Sequence, residues 1–155
     1  MKCYKEELAC MRVSFTHDSM VVTQTMVGLL DGEKREKLTP HLHVLKLQAN
    51  FVAKQPAFVG DVWRGVNMNC LAKYQEMMEK GARFRDWRFS STSTDMGVVK
   101  SFLKGKDYNV LFCIKCTSGV RIHELSAFPA ESEVVLMPGV QYVVRSQSQT
   151  QSSQL

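Results

Sequence analysis

Two glutamates near the C-terminus, Glu131 and Glu133, flank Ser132 and open the apolar run Val134-Val135-Leu136-Met137-Pro138. Side chains alternate faces along a β-strand, so a strand over 131–137 predicts both carboxylates on one face, about 6–7 Å apart at ~3.3 Å per residue. Such a pair suits chemistry that passes through an oxocarbenium-like cation. One carboxylate can stabilise the positive sugar while the other orients or activates the incoming group. An isolated Glu-x-Glu is most often only the polar face of an antiparallel strand, so the pair needs support from elsewhere in the chain.

Two further groups offer it. Arg64 interrupts the apolar run Val62-Trp63-Arg64-Gly65-Val66. A buried unpaired guanidinium is costly, so Arg64 is expected either on an exposed face or against an anion. Its planar fork matches phosphate, and the adjacent Gly65 lets a ligand approach the backbone. The second group is the hydroxyl run Ser90-Ser91-Thr92-Ser93-Thr94. It reads as a polar strand-to-helix turn, or as a ladder of hydroxyls that hydrogen-bonds a carboxylate and holds it in position.

The elements that must carry these residues follow from periodicity. Tyr4, Leu8, Met11 and Phe15 recur at helical spacing, and a second apolar segment covers 20–30 before a charged turn at 33–37. Thr39-Pro40 predicts a helix N-cap and first turn, with Leu42, Leu45, Ala49 and Val52 as its core stripe and an end before Pro56. Residues 58–66 read as a strand, Asn69 as the cap of a helix ending at Gly81, and 84–89 as extended chain. Asp95 caps a short helix closed by Gly105. Strands are expected over 108–116, 120–124, 133–137 and 140–144, with Phe128 on the turn before the paired glutamates. Helices first and strands later predict an α+β domain with a mainly antiparallel sheet. Its boundaries are 1–145, helical over 1–55 and β-rich over 56–145. The Ser/Gln-rich stretch 146–155 has nothing to bury and reads as a disordered tail.

Composition narrows the function classes. A chain of 155 residues supports one domain, and no apolar run is long enough to span a membrane. The net charge of +5 falls mostly between Asp61 and Lys106, without a basic tail or an aromatic-basic repeat. That could be the footprint of nucleic acid but fits a small phosphorylated ligand equally well, and nucleic acid is not the expected partner. Five cysteines, an odd number, argue against a closed disulfide framework. Cys113 and Cys116 have no matching second pair, and His41 and His43 are spaced so that their side chains do not converge on a helix, so no metal is expected. The charged N-terminus lacks a signal-peptide core. A cytoplasmic, monomeric protein is expected, with a secreted or trimmed ectodomain as the alternative.

Taken in order, the Val-Trp-Arg-Gly strand with Arg64, then Phe89-Ser90-Ser91-Thr92-Ser93, then Phe128-Pro129-Ala130-Glu131-Ser132-Glu133-Val134 resemble the arginine–serine–glutamate class of mono-ADP-ribosyltransferases. The resemblance implies the fold of that class: N-terminal helices and a two-sheet, mainly antiparallel β core around an NAD cleft. It implies that NAD is consumed as co-substrate and that ADP-ribose passes to an exposed arginine of a protein. Arg64 would bind a phosphate of NAD, and the backbone at Gly65 would hold the nicotinamide amide. Ser91, Thr92 and Ser93 would contact the cofactor and brace the site, with Ser91 positioning the catalytic carboxylate. Glu133 would be that carboxylate and Glu131 the activator of the arginine acceptor, while Phe128 would meet the protein substrate. An NAD glycohydrolase, or an inactive domain that binds NAD or ADP-ribose, would carry the same motifs. Arg64 stands where the histidine–tyrosine–glutamate class has histidine, which disfavours that class.

Overall fold

A computed structural model describes residues 5–14, 39–67, 79–105, 109–122, 125–126 and 128–148. The apolar segment at 20–30, the charged turn at 33–37, most of the helix expected after Asn69 and the tail beyond 148 lie outside the described residues. Two helices lead. α1 (Lys5–Ser14) and α2 (Leu42–Ala53) pack on one another, tied by a salt bridge of 2.6 Å from Lys54 to the buried Glu7 and by Gln48 Nε2 donating to Ser14 Oγ at 2.7 Å. A single 3-10 turn over 39–41 precedes α2. Thr39 is therefore not the N-cap of the α-helix; His41 is, and it makes no side-chain cap bond.

The core stripe of α2 also differs from expectation. Gln48 and Phe51 are its buried residues, with Leu45 and Val52 packed beside them, whereas Leu42 is exposed. The polar Gln48 enters the interior with its Nε2 met by Ser14 of α1, although its Oε1 has no hydrogen-bond partner among the described residues. Met11, Phe51, Phe89, Val120, Ile122 and Val135 form the cluster that joins the helices to the strands. Burial of side chains such as Met11 and Phe51 contributes about 1.5–3 kcal/mol each.

Among the described residues six strands follow: β1 (Phe58–Asn67), β2 (Arg83–Asp86), β3 (Ser90–Ser93), β4 (Asn109–Arg121), β5 (Glu133–Leu136) and β6 (Val140–Val143). Helix α3 (Met96–Leu103) lies between β3 and β4, and Asp95 caps it by accepting from Gly97 N at 2.7 Å. All pairings are antiparallel. β1, β3, β5 and β4 close into a ring around a second cluster of Val62, Cys116, Val134 and Leu136, while β2 and β6 form a separate two-stranded sheet. Helices before strands and two sheets are the α+β arrangement expected from the sequence.

The two strands expected over 108–116 and 120–124 are one. β4 pairs with β1 from Gly119 back toward its start, then with β5 through Val120↔Val135 and Arg121↔Val134. The Thr117-Ser118-Gly119 stretch marks an exchange of partner, not a break. Gly119 is needed there, since a Cβ would lie 2.6 Å from Val134 Cγ1 and 2.9 Å from Cys116 Sγ.

Candidate active site

β3 and the residue after it present five consecutive hydroxyls, and the last four, Ser91 to Thr94, each have a target in the short stretch 131–134. Ser91 Oγ donates to Glu133 Oε1 at 2.5 Å, Thr92 Oγ1 to Val134 O at 2.6 Å and Ser93 Oγ to Glu131 O at 2.6 Å. Thr94 meets Ser132 O through its backbone N–H at 3.2 Å and its hydroxyl at 3.4 Å. A Ser/Thr run would ordinarily compete with the strand ladder. Here the hydroxyls turn instead to the Glu133 carboxylate and to the carbonyls of the turn and strand that face them. Ser93 Oγ additionally accepts from Asp95 N at 2.9 Å, which links the ladder to the α3 cap.

That segment is not the strand expected at Glu131. Pro129–Glu131 forms a 3-10 turn, Ser132 adopts a left-handed conformation with φ 49°, and β5 starts only at Glu133. The pairing of Glu131 with Glu133 thus comes from a turn and not from strand alternation. A non-glycine residue in that conformation costs about 1–2 kcal/mol, which the bonds to Ser132 O and Glu131 O offset. Ser132 N also donates to Pro129 O at 3.3 Å, and Glu131 N to Phe128 O at 3.0 Å.

Glu133 is 5% exposed, Glu131 partly buried and Phe128 exposed. Burial pushes the Glu133 carboxyl above its ordinary pKa, and the Glu131 charge pushes it further. The hydroxyl of Ser91 acts in the opposite sense by hydrogen-bonding the carboxylate, and Ser126 acts in the same sense as Ser91. Ser126 was not singled out from the sequence; its only signal there is a hydroxyl at the start of the Ser-Ala-Phe-Pro turn.

Arg64 is half-buried on β1, and its Nη1 donates to Ser91 O at 3.1 Å. Ser91 therefore joins the two charged groups, taking the guanidinium on its carbonyl and giving its hydroxyl to Glu133. Gly65 has a packing role of its own: a Cβ there would meet Leu103 of α3 at 2.8–3.0 Å. The hydroxyls of Thr92 and Ser93 are committed to backbone carbonyls, so in this arrangement they brace the glutamates.

Behind Ser91, Ser90 Oγ donates to Asp86 Oδ2 at 3.0 Å, and Asp86 also holds Arg88 Nε at 2.8 Å. Burial works against the Asp86 charge, yet the bonds from Arg88 and Ser90 leave its carboxyl below the ordinary range. Burial, with the Asp86 charge next, pushes the Tyr142 phenol up to about 12, so it stays neutral. Among the described residues no three His, Cys, Asp or Glu side chains group as metal ligands would, and no helix is long and apolar enough to cross a membrane.

A buried carboxylate held by a hydroxyl, a second carboxylate two residues earlier and an arginine joined to the first through Ser91 are the arrangement expected for the ADP-ribosyltransferase class. The chain belongs to the NAD:arginine ADP-ribosyltransferase family, whose model matches residues 35–155. The fold agrees. It is similar to Vis toxin, an ADP-ribosyltransferase from Vibrio splendidus, with a TM-score of 0.73 at 21% identity over 96% of this chain and 69% of that one. The structure of Vis in complex with agmatine gives 0.73 at 22% identity, over 96% and 70%. HopU1 of Pseudomonas syringae gives 0.70 at 23%, over 90% and 69%. A search of curated protein sequences finds no match.

Proposed function

We propose that this protein transfers a single ADP-ribose from NAD to arginine side chains of proteins and releases nicotinamide. The observation that carries the reading is the Glu133 carboxylate, buried and fixed by Ser91 Oγ at 2.5 Å with Glu131 turned in beside it. Arg64 binds a phosphate of NAD, and the Gly65 backbone holds the nicotinamide amide. The bond between ribose C1′ and the nicotinamide nitrogen breaks, its electron pair leaving with nicotinamide. Glu133 stabilises the cation that remains, as a fixed anion needing no reorganisation. A guanidinium nitrogen of the acceptor then bonds to C1′. Arginine is protonated at neutral pH and a poor nucleophile, so Glu131 orients it and takes up its proton. Thr92 and Ser93 keep both glutamates in register, and exposed Phe128 meets the acceptor protein.

The family's description supports arginine as acceptor, as does a glutamate at position 131, where relatives with other acceptors have glutamine. The test is incubation with labelled NAD and agmatine, with nicotinamide release followed in parallel. Labelled agmatine is the expected product. NAD consumption with no labelled agmatine overturns arginine transfer in favour of NAD hydrolysis, and no consumption at all overturns the enzyme.

A further inference from the structure

Ser90 and Ser91 open β3 and point to opposite faces of it, Ser90 into the interior at 1% exposure and Ser91 to Glu133. Ser90 Oγ donates to Asp86 Oδ2 at 3.0 Å. Asp86 ends β2 and belongs to the two-stranded sheet, where it pairs with Val140 of β6 and its carbonyl accepts from Gly139 N at 2.7 Å. Its carboxylate also holds Arg88, in the 87–89 connection that crosses from that sheet to β3. Oδ1 accepts from Arg88 N at 3.0 Å and Nε at 2.8 Å, and Oδ2 from Nη2 at 3.3 Å. One carboxylate thus fastens together the end of β2, the crossing and the first residue of β3.

We propose that Asp86, acting through Ser90, is a positioning residue of the transfer reaction: it fixes the β3 backbone immediately before Ser91 and so holds the Ser91 hydroxyl at Glu133. The proposal rests on the transferase reading above. β3 is four residues long and Ser90↔Leu136 is its first pair with β5, so Ser91 stands beside a strand end, where a ladder opens most readily. The bond from Ser90 to a carboxylate closes that end, and a charged acceptor makes it stronger than a neutral one. Arg88 keeps Asp86 ionised and aims Oδ2 at Ser90. Ser91 then meets two groups at once, with its hydroxyl on Glu133 Oε1 at 2.5 Å and its carbonyl under Arg64 Nη1 at 3.1 Å. Both bonds depend on where the β3 backbone begins.

Ser90→Ala cuts the link and leaves the Asp86–Arg88 pair in place, while Asp86→Ala removes both. Each substitution is made in wild type and in Ser91→Ala, and nicotinamide release and melting temperature are measured for every combination. In wild type, Ser90→Ala should slow nicotinamide release about tenfold, the loss that goes with one hydrogen bond to a charged group, and Asp86→Ala at least as much. In the Ser91→Ala background the same substitutions should change release by less than about twofold, because the hydroxyl they position is already gone. An equal loss in both backgrounds, or no loss in wild type, overturns the proposal; a purely structural staple would lower the melting temperature and give one of those two results. If Asp86→Ala does not fold, Ser90→Ala carries the comparison alone. NMR titration of the carboxyl carbon of Glu133 decides the matter independently of turnover. The Ser91 hydroxyl lowers that midpoint, so Ser90→Ala should raise it toward the value in Ser91→Ala. An unmoved midpoint sinks the proposal even if the wild type proves inactive, whereas inactivity of the wild type by itself sinks the transferase reading.

Discussion

Replacing Glu133 with glutamine should stabilise the protein while removing its activity. The carboxylate is 5% exposed, its donor is the neutral hydroxyl of Ser91, and the like-signed Glu131 charge acts on it. Glu133→Gln keeps the side-chain length and an acceptor oxygen for Ser91, so little packing is lost. It removes a desolvated charge, for an expected gain of about 1 kcal/mol, or about 2–4 °C in Tm for a chain of this size. The sign of the pH dependence follows from the raised folded-state pKa. Below the unfolded-state value both states are protonated and the charge costs nothing. As pH rises through the raised value the folded state must ionise, and the wild type loses stability relative to the variant. The Tm difference should therefore be largest above neutrality and fade on acidification. Nicotinamide release should fall at least ~100-fold, the usual consequence of losing a fixed stabilising charge, with NAD affinity nearly intact. Calorimetry across pH 4–8 and a turnover assay check both halves. A variant less stable than wild type near neutral pH, or a Tm difference that does not vary with pH, refutes the reasoning.

Glu131→Gln should abolish agmatine labelling but leave NAD hydrolysis, and its acid limb should move to lower pH because the Glu131 charge raises the Glu133 pKa; equal loss of both activities counts against the division of roles. Arg64→Lys removes the forked donor from Ser91 O and, on the role proposed for Arg64, from the NAD phosphate, so NAD affinity, read by titration calorimetry, should drop about tenfold. Gly119→Ala forces a methyl group against Val134 and Cys116 and should lower Tm by at least ~3 °C, measured by thermal melting.

The three motifs were legible in the sequence because each breaks a local rule. Arg64 is a charge in an apolar strand, the 90–94 run packs five hydroxyls together, and Glu131 and Glu133 precede a run of valines. The turn that joins the glutamates was not legible. Alternation alone continues β5 back to Glu131, and the 3-10 turn and left-handed Ser132 replace it because hydroxyls 38 residues earlier in the chain claim the Glu131 and Ser132 carbonyls. The burial of Gln48 depended on Ser14, 34 residues away. The continuity of β4 depended on its change of partner from β1 to β5. In each case a contact distant in the chain outweighed a local preference, and periodicity carries no record of such contacts.

The neutral hydroxyl on Glu133 suits the task proposed for it. A buried carboxylate is most cheaply held by a cation, and Arg64 sits on the neighbouring Ser91. Yet an arginine paired directly with Glu133 would cancel the field that a ribosyl cation must feel, and would lower the carboxylate's affinity for the positive charge forming beside it. A hydroxyl fixes the carboxylate in place without neutralising it. The guanidinium is directed instead to Ser91 O at 3.1 Å, where it braces β3. One serine thus bonds the two oppositely charged groups through different atoms, its hydroxyl to Glu133 and its carbonyl to Arg64. Ser91→Ala would remove the hydroxyl yet leave the carbonyl under Arg64, so its damage should fall on Glu133 alone: slower nicotinamide release, an acid limb at higher pH and unchanged NAD affinity. Loss of NAD affinity in that variant would show that the two bonds of the serine are not independent.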